Sequence, residues 1–188
     1  MENLSVVFHS LSGDLYAVNN ASYEIERGTV TAIVGESGCG KSVSQKAVMG
    51  LIKHPGEIGA DSKIYFNGEN VLDYTEKQWN DYRGAKCSMV FQDALTALKP
   101  TMTIGNQIVE KIRVHDKSIS RRAAWEEGIR MLELVGIPNA AIRMKQYPHE
   151  FSGGMRQRVM IAIGLTLHPE LVIADEPTTA LDVTIQAD

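Results

Sequence analysis

Apolar residues in this chain fall into two kinds of run. One kind is short and continuous. Val30-Thr31-Ala32-Ile33-Val34 and, far downstream, Leu171-Val172-Ile173-Ala174 are each bounded by polar residues or glycine. Runs of this length and composition predict strands buried on both faces, as in a parallel sheet. The other kind recurs at helical spacing. Val43, Ala47, Val48, Leu51 and Ile52 predict a helix that stops before His54-Pro55-Gly56. Ile104, Ile108 and Ile112 predict a second, capped by Thr103. Trp125, Ile129, Leu132 and Val135 predict a third, capped by Ser120 and ended by Gly136 and Pro138. Met155 to His168 predicts a fourth, broken by Pro169. Up to about Asn70 the chain reads as short strands and turns, with Lys63 to Phe66 entering a tight turn at Asn67-Gly68.

Strand, loop, helix, helical insert, helix, strand is an α/β order. It divides into a core of residues 1–92 and 156–188, with a helical subdomain at 93–155, within one domain of 188 residues. Hydrophobic residues at 44% and charged residues at 22% fit a soluble globular protein. A net charge of −4 argues against a broad basic surface for nucleic acid. The longest apolar run, VMIAIGLTL, is far short of a membrane span, and MENLSVVFHS lacks the layout of a signal peptide. Any membrane role is therefore expected to run through a partner. Cys39 and Cys87 show neither metal-ligand spacing nor a disulfide framework, so both read as reduced thiols.

Between the first apolar run and the first helix lies Gly35-Glu36-Ser37-Gly38-Cys39-Gly40-Lys41-Ser42, a match to G-x-x-x-x-G-K-S. Glycines let successive backbone N–H groups curl around phosphate oxygens, and the helix start adds partial positive charge. Lys41 is expected to reach the β- and γ-phosphates and Ser42 to ligate Mg²⁺, with Gly35 through Val43 cradling the nucleotide. Cys39 is expected to contribute only its N–H. A structural glycine turn is the competing reading, and the strand-loop-helix context weighs against it.

The second apolar run ends in Asp175-Glu176. In a phosphate-loop protein the first carboxylate holds Mg²⁺ and the second faces the γ-phosphate, placed to polarise water. A plain polar strand end is the alternative. Upstream, Phe151-Ser152-Gly153-Gly154 opens the fourth helix with free N–H groups and a serine that can cap it or donate to phosphate. An ordinary capped helix explains that stretch equally well when it is taken alone.

Together, in this order, the glycine loop, the S-G-G helix start, the Asp-Glu strand end and Ala180-Leu181-Asp182 resemble the ATP-binding subunits of ABC transporters. Val34 to Val43, YPHEFSGGMRQRVMIA (Tyr147 to Ala162) and IADEPTTALDVTIQA (Ile173 to Ala187) look like the dipeptide and oligopeptide importer branch. The resemblance implies a P-loop NTPase core with a parallel sheet, an N-terminal antiparallel β subdomain and a helical insert carrying the signature loop. It implies an ATPase that powers peptide import, with ATP and Mg²⁺ bound, located peripherally on the cytoplasmic face of the membrane. Its partners would be a second ATP-binding subunit, identical or not, and transmembrane permease subunits, with no nucleic acid. Ser152, Gly153 and Gly154 would then close over the nucleotide held by the partner in a head-to-tail dimer, so that the two anion loops serve two different ATP molecules. Gln92 would be the Q-loop glutamine, sensing the γ-phosphate through Mg²⁺ and acting with Lys41 and Glu176. Asp182 would lie across the dimer interface, and Tyr16 or Phe8 would stack on adenine.

Two rival readings remain weaker. A DNA-repair or chromosome ABC ATPase inserts a long coiled coil, and Asp93 to Glu150 carries no sustained heptads. A non-catalytic nucleotide switch has no need of Glu176. The chain also departs from the branch. It reads Phe91-Gln92-Asp93-Ala94-Leu95-Thr96-Ala97-Leu98-Lys99-Pro100 where FQD-P-M-T-S-L-N-P is typical, and no residue matches the switch histidine. The strand that precedes that histidine is likewise unmatched. Val30 to Val34 and Leu171 to Ala174 are therefore expected to carry unpaired backbone groups on the sides that would face it.

Overall fold

The computed structural model describes residues 1–92 and 94–176. In chain order the elements are β1 (Leu4–Ser10), β2 (Gly13–Ala21), α1 (Lys41–Val48), β3 (Gly56–Ile58), β4 (Tyr65–Phe66), β5 (Glu69–Asn70), α2 (Glu76–Tyr82), β6 (Cys87–Val90), α3 (Ala94–Ala97), α4 (Ile104–His115), α5 (Arg121–Leu134), α6 (Ala140–Arg143), α7 (Gly153–Leu165) and β7 (Leu171–Ala174). They form two compact units, residues 1–79 and residues 80 onward.

In the first unit an antiparallel sheet runs in the order β2-β1-β3. Leu4 and Val6 alternate onto its inner face and are fully buried, with Val18 of β2 and Ala47 of α1 also in the core. The turn expected at Asn67-Gly68 joins β4 to β5, with φ of 50° and 85° at its two residues. Helix α1 is shorter than its apolar spacing suggests. Gly50 takes φ 59°, its N–H donates to Ala47 O and that of Leu51 to Lys46 O. These paired bonds close a helix at a left-handed glycine, which puts Leu51 and Ile52 outside it.

Val30 to Val34 is not a strand. No strand pairs with it among the described residues, and Val30 and Val34 are 101% and 89% exposed. A strand exists only where neighbours take its N–H and C=O groups, and composition alone supplies none.

The second unit supplies what that run lacks. Leu171 to Ala174 pairs in parallel with Cys87 to Val90, in the register Cys87–Leu171 through Val90–Ala174. The partner strand is not evident in the sequence, because CSMV is only four residues long and is interrupted by Ser88. β7 is also less buried than expected: Val172 is 39% exposed and alternate residues of the strand are open. The helices follow their caps. Thr103 accepts from Asn106 N–H and Ser120 from Ala123 N–H. α5 ends at Gly136 with the same paired bonds as α1, here to Glu133 O and Leu132 O. Ile104, Ile108, Ile112, Leu132, Val159 and Phe151 form one apolar core between α4, α5 and α7. Each fully buried isoleucine there contributes about 1.5–3 kcal/mol. α7 starts earlier and stops earlier than the span Met155 to His168.

Candidate functional site

In the first unit the glycine loop is open to solvent from Gly35 to Cys39. It wraps the Lys41 ammonium, whose Nζ donates to Gly35 O at 2.6 Å and Glu36 O at 2.7 Å, with Cys39 Sγ at 3.6 Å. Cys39 N–H donates to Glu36 O across the turn. Ser37 and Gly38 form its tip. Gly40 is the N-cap of α1 at φ 92°, and a Cβ there would meet Ala17 O at 2.3 Å. Only glycine fits so close to β2 in that conformation. Lys41, Ser42 and Val43 make the first turn of α1, which holds no acidic residue, so its positive end is uncompensated. The first N–H groups of a helix have no partner within it and suit an anion. Tyr16 sits on β2 beside Ala17, and at 66% exposed it is not a core residue. Phe8 is partly buried, against Gly56.

In the second unit the parallel pairing does the positioning. Because Val90 lies beside Ala174, the chain ends that follow emerge side by side. Asp175 N–H donates to Val90 O at 2.9 Å, prolonging the ladder by one bond. Asp175 is buried, 9% exposed, at the strand end. Glu176 turns out of the strand with φ 49°, and Gln92 Nε2 donates to its Oε2 at 2.6 Å. An amide that gives its N–H to Glu176 keeps its oxygen as an acceptor for a cation. Three of the expected residues, Gln92, Asp175 and Glu176, thus form one constellation of oxygen donors.

Ser152 caps α7 by accepting from Met155 N–H at 3.3 Å, and the helix start is exposed there. A Cβ on Gly153 would meet nothing within 4 Å, so a ligand has room to approach the backbone. Gly154 is the second residue of the helix. Phe151 anchors this loop. Its side chain is 3% exposed, its carbonyl accepts from Arg156 Nη1 at 2.9 Å, and the Arg143 guanidinium lies 5.6 Å from its ring centre. In the sequence Phe151 reads only as part of a motif, and nothing in its chain neighbours, Glu150 and Ser152, marks it as an anchor. Asp182 lies outside the described residues.

Among the described residues no three His, Cys, Asp or Glu side chains cluster as a metal cage. Mg²⁺ does not need one: it takes one or two protein oxygens and fills its octahedron with water and phosphate. In the first unit Ser42 offers a hydroxyl, and in the second Asp175 and Gln92 offer a carboxylate and an amide oxygen, each a hard donor of the kind that cation takes. No helix among the described residues is long and apolar enough to cross a membrane.

Comparison with known proteins agrees with the motif order. The sequence profile of the ABC transporter family matches residues 18–179. The dipeptide transport ATP-binding protein DppD of Lactococcus lactis is 50% identical over 187 residues, covering 100% of this chain and 53% of that protein. The oligopeptide transport ATP-binding protein OppD of Escherichia coli is 49% identical over the same span and is covered to 55%. The chain therefore spans about half the length of these curated relatives. Among solved structures, the dimeric bacterial ABC transporter cassette MJ0796 superposes with a TM-score of 0.85 at 25% identity, covering 99% of this chain and 77% of that one. The same cassette is also known in a post-hydrolysis state bound to ADP and phosphate.

Proposed function

The chain belongs to the ABC transporter family, and from that premise we propose that it binds and hydrolyses ATP to power import of dipeptides or oligopeptides through membrane subunits. The observation that carries the reading is the Gln92–Glu176 hydrogen bond at the open end of the parallel pair. A polar strand end without chemistry has no need of an amide aimed at its carboxylate.

The roles follow from the groups. Lys41 replaces its loop carbonyls with the β- and γ-phosphate oxygens, a stronger charge-assisted partner. Gly35 through Val43 donate backbone N–H groups to the same phosphates, and Tyr16 offers a ring to adenine. Mg²⁺ would be held by the Ser42 hydroxyl from the first unit and by Asp175 and the Gln92 amide oxygen from the second, and would supply neutralisation of charge on the phosphates. Glu176 accepts a proton from the attacking water while the oxygen between the β- and γ-phosphorus leaves as ADP. Ser152, Gly153 and Gly154, at a helix start free of acidic residues, serve the nucleotide held by a second ATP-binding subunit. Asp182 belongs to that interface. The full protein works peripherally, on the cytoplasmic face of permease subunits.

Uptake of labelled dipeptide and oligopeptide by cells carrying the full-length wild type or Lys41→Ala tests this. Uptake that is lost with Lys41→Ala supports the reading. Equal uptake in both, or no peptide uptake by either, overturns it.

A further inference from the structure

The last four carbonyls of a helix have no partner within it, and each needs one from elsewhere. In α1 and α5 a left-handed glycine supplies that partner through the chain's own next residues. α7 also ends on a left-handed residue, His168 at φ 49°, but Pro169 follows it and has no N–H for the second of the paired bonds. Its carbonyls are nevertheless all taken. Thr166 Oγ1 donates to Ala162 O at 2.7 Å, and His168 N–H donates to Leu165 O at 2.8 Å. The two between them, Ile163 O and Gly164 O, accept from Lys111 Nζ at 2.5 and 3.3 Å. Lys111 belongs to α4, and its ammonium also lies 3.4 Å from Ser88 Oγ on β6. One side chain from the helical insert thus joins the end of α7 to the strand that leads to Gln92.

The apolar cluster between α7 and β6 consists of Val90 and Met160 with Ile161 packed on it. A cavity of about 180 Å³ opens alongside, walled by Ser88, Phe91, Gln107, Lys111, Met160 and Gly164 among others. Gly164 lets the helix approach, since a Cβ there would lie 3.2 Å from Val90 Cγ2. Burial pushes the pKa of the Lys111 ammonium down to about 8. The charge is kept in a place that penalises it. Geometry gives the reason for its presence. Ser152 lies at the far end of α7, about 18 Å away at 1.5 Å per residue. A tilt of about 3° at Gly164 therefore moves Ser152 by about 1 Å.

We propose that Lys111 is a positioning residue: by pinning the end of α7 to β6 it fixes the pose of the Ser152 loop relative to Gln92 and Glu176. The proposal rests on the ATPase reading above. A merely structural cap and a positioning clamp differ in how they can be rescued. Pro169→Ala gives the residue after left-handed His168 an N–H, so Gly164 O can be capped without α4.

Steady-state ATP hydrolysis is measured on the full-length protein for the wild type, Lys111→Met, Lys111→Met/Pro169→Ala and Lys111→Arg, with melting temperature recorded for each. The expected result is a kcat reduced about tenfold in Lys111→Met with KM unchanged, the size of effect that sub-ångström to ångström misplacement brings. In the double variant the melting temperature recovers and kcat stays low, while Lys111→Arg recovers most of the kcat. A kcat that returns with stability in the double variant overturns the proposal, as does an unchanged kcat in Lys111→Met or a change confined to KM. A double variant that does not fold overturns it as well, because Lys111 then holds the fold and not the pose. Wild-type protein that hydrolyses no ATP speaks against the ATPase reading itself, which separates the two failures.

Discussion

Two apolar runs of nearly equal length, Val30 to Val34 and Leu171 to Ala174, end in different chemistry and meet different fates. The first leads into the glycine loop and stays exposed, outside any ladder among the described residues. The second leads into Asp175-Glu176 and forms a parallel strand against Cys87 to Val90. Residue types do not separate them, since both are β-branched and aliphatic. The difference is a neighbour. A run becomes a strand when another segment takes its backbone groups, and that segment can be almost invisible in the sequence. The site follows the same division. The glycine loop organises itself through local bonds from Lys41 to Gly35 and Glu36. Glu176 is organised by a residue 84 positions away in the chain, Gln92.

The comparison can be broken most severely at Lys41. Because the loop is a local device built around one ammonium, Lys41→Ala should weaken ATP affinity by about 100-fold or more, the loss of at least two charge-assisted bonds worth about 1.5–3 kcal/mol each. Calorimetry that finds equal affinity would show that the loop binds through its amides alone. Next comes Ser152→Arg. ATP affinity of the single subunit should stay within about twofold, while ATP-driven association of two subunits, followed by analytical ultracentrifugation, should weaken by at least about tenfold, because a like charge placed at a cationic helix start costs about as much as such a pair would gain. Loss of affinity in the single subunit would place the S-G-G loop on its own nucleotide.

The remaining test concerns the two runs themselves. Val90 is 2% exposed and Val34 is 89% exposed. Val90→Ala should cost about 2 kcal/mol in denaturant unfolding, through lost burial and a residual cavity. Val34→Ala should cost less than about 0.5 kcal/mol. Equal costs would mean that Val30 to Val34 is packed in solution, and that the two runs are alike after all.

Local chemistry was the legible part. The caps at Thr103, Ser120 and Ser152, the turn at Asn67-Gly68 and the glycine loop each depend on residues a few positions apart, and each stands where its residues direct. The helix ends were less legible: Gly50 stops α1 ahead of two residues that continue the apolar spacing, and the 3.6-residue period carries no information about a cap. Long-range pairing was not legible. Cys87 to Val90 gave no strand signal, so neither the register that aligns Val90 with Ala174 nor the contact between Gln92 and Glu176 follows from residue pattern. Asp175 and Glu176 stand out in the sequence by their place after an apolar run. Their arrangement is a property of tertiary structure.

The central claim is that Glu176, held by Gln92, is the base of an ATP hydrolysis reaction. Phosphate release by the full-length protein under saturating ATP tests it directly, comparing wild type with Glu176→Gln and measuring nucleotide affinity in parallel. The account predicts turnover slowed by about 10²- to 10⁴-fold in Glu176→Gln, the range for loss of a general base, with ATP affinity retained. Turnover at the wild-type rate would contradict it and leave Glu176 a plain carboxylate at the end of a strand.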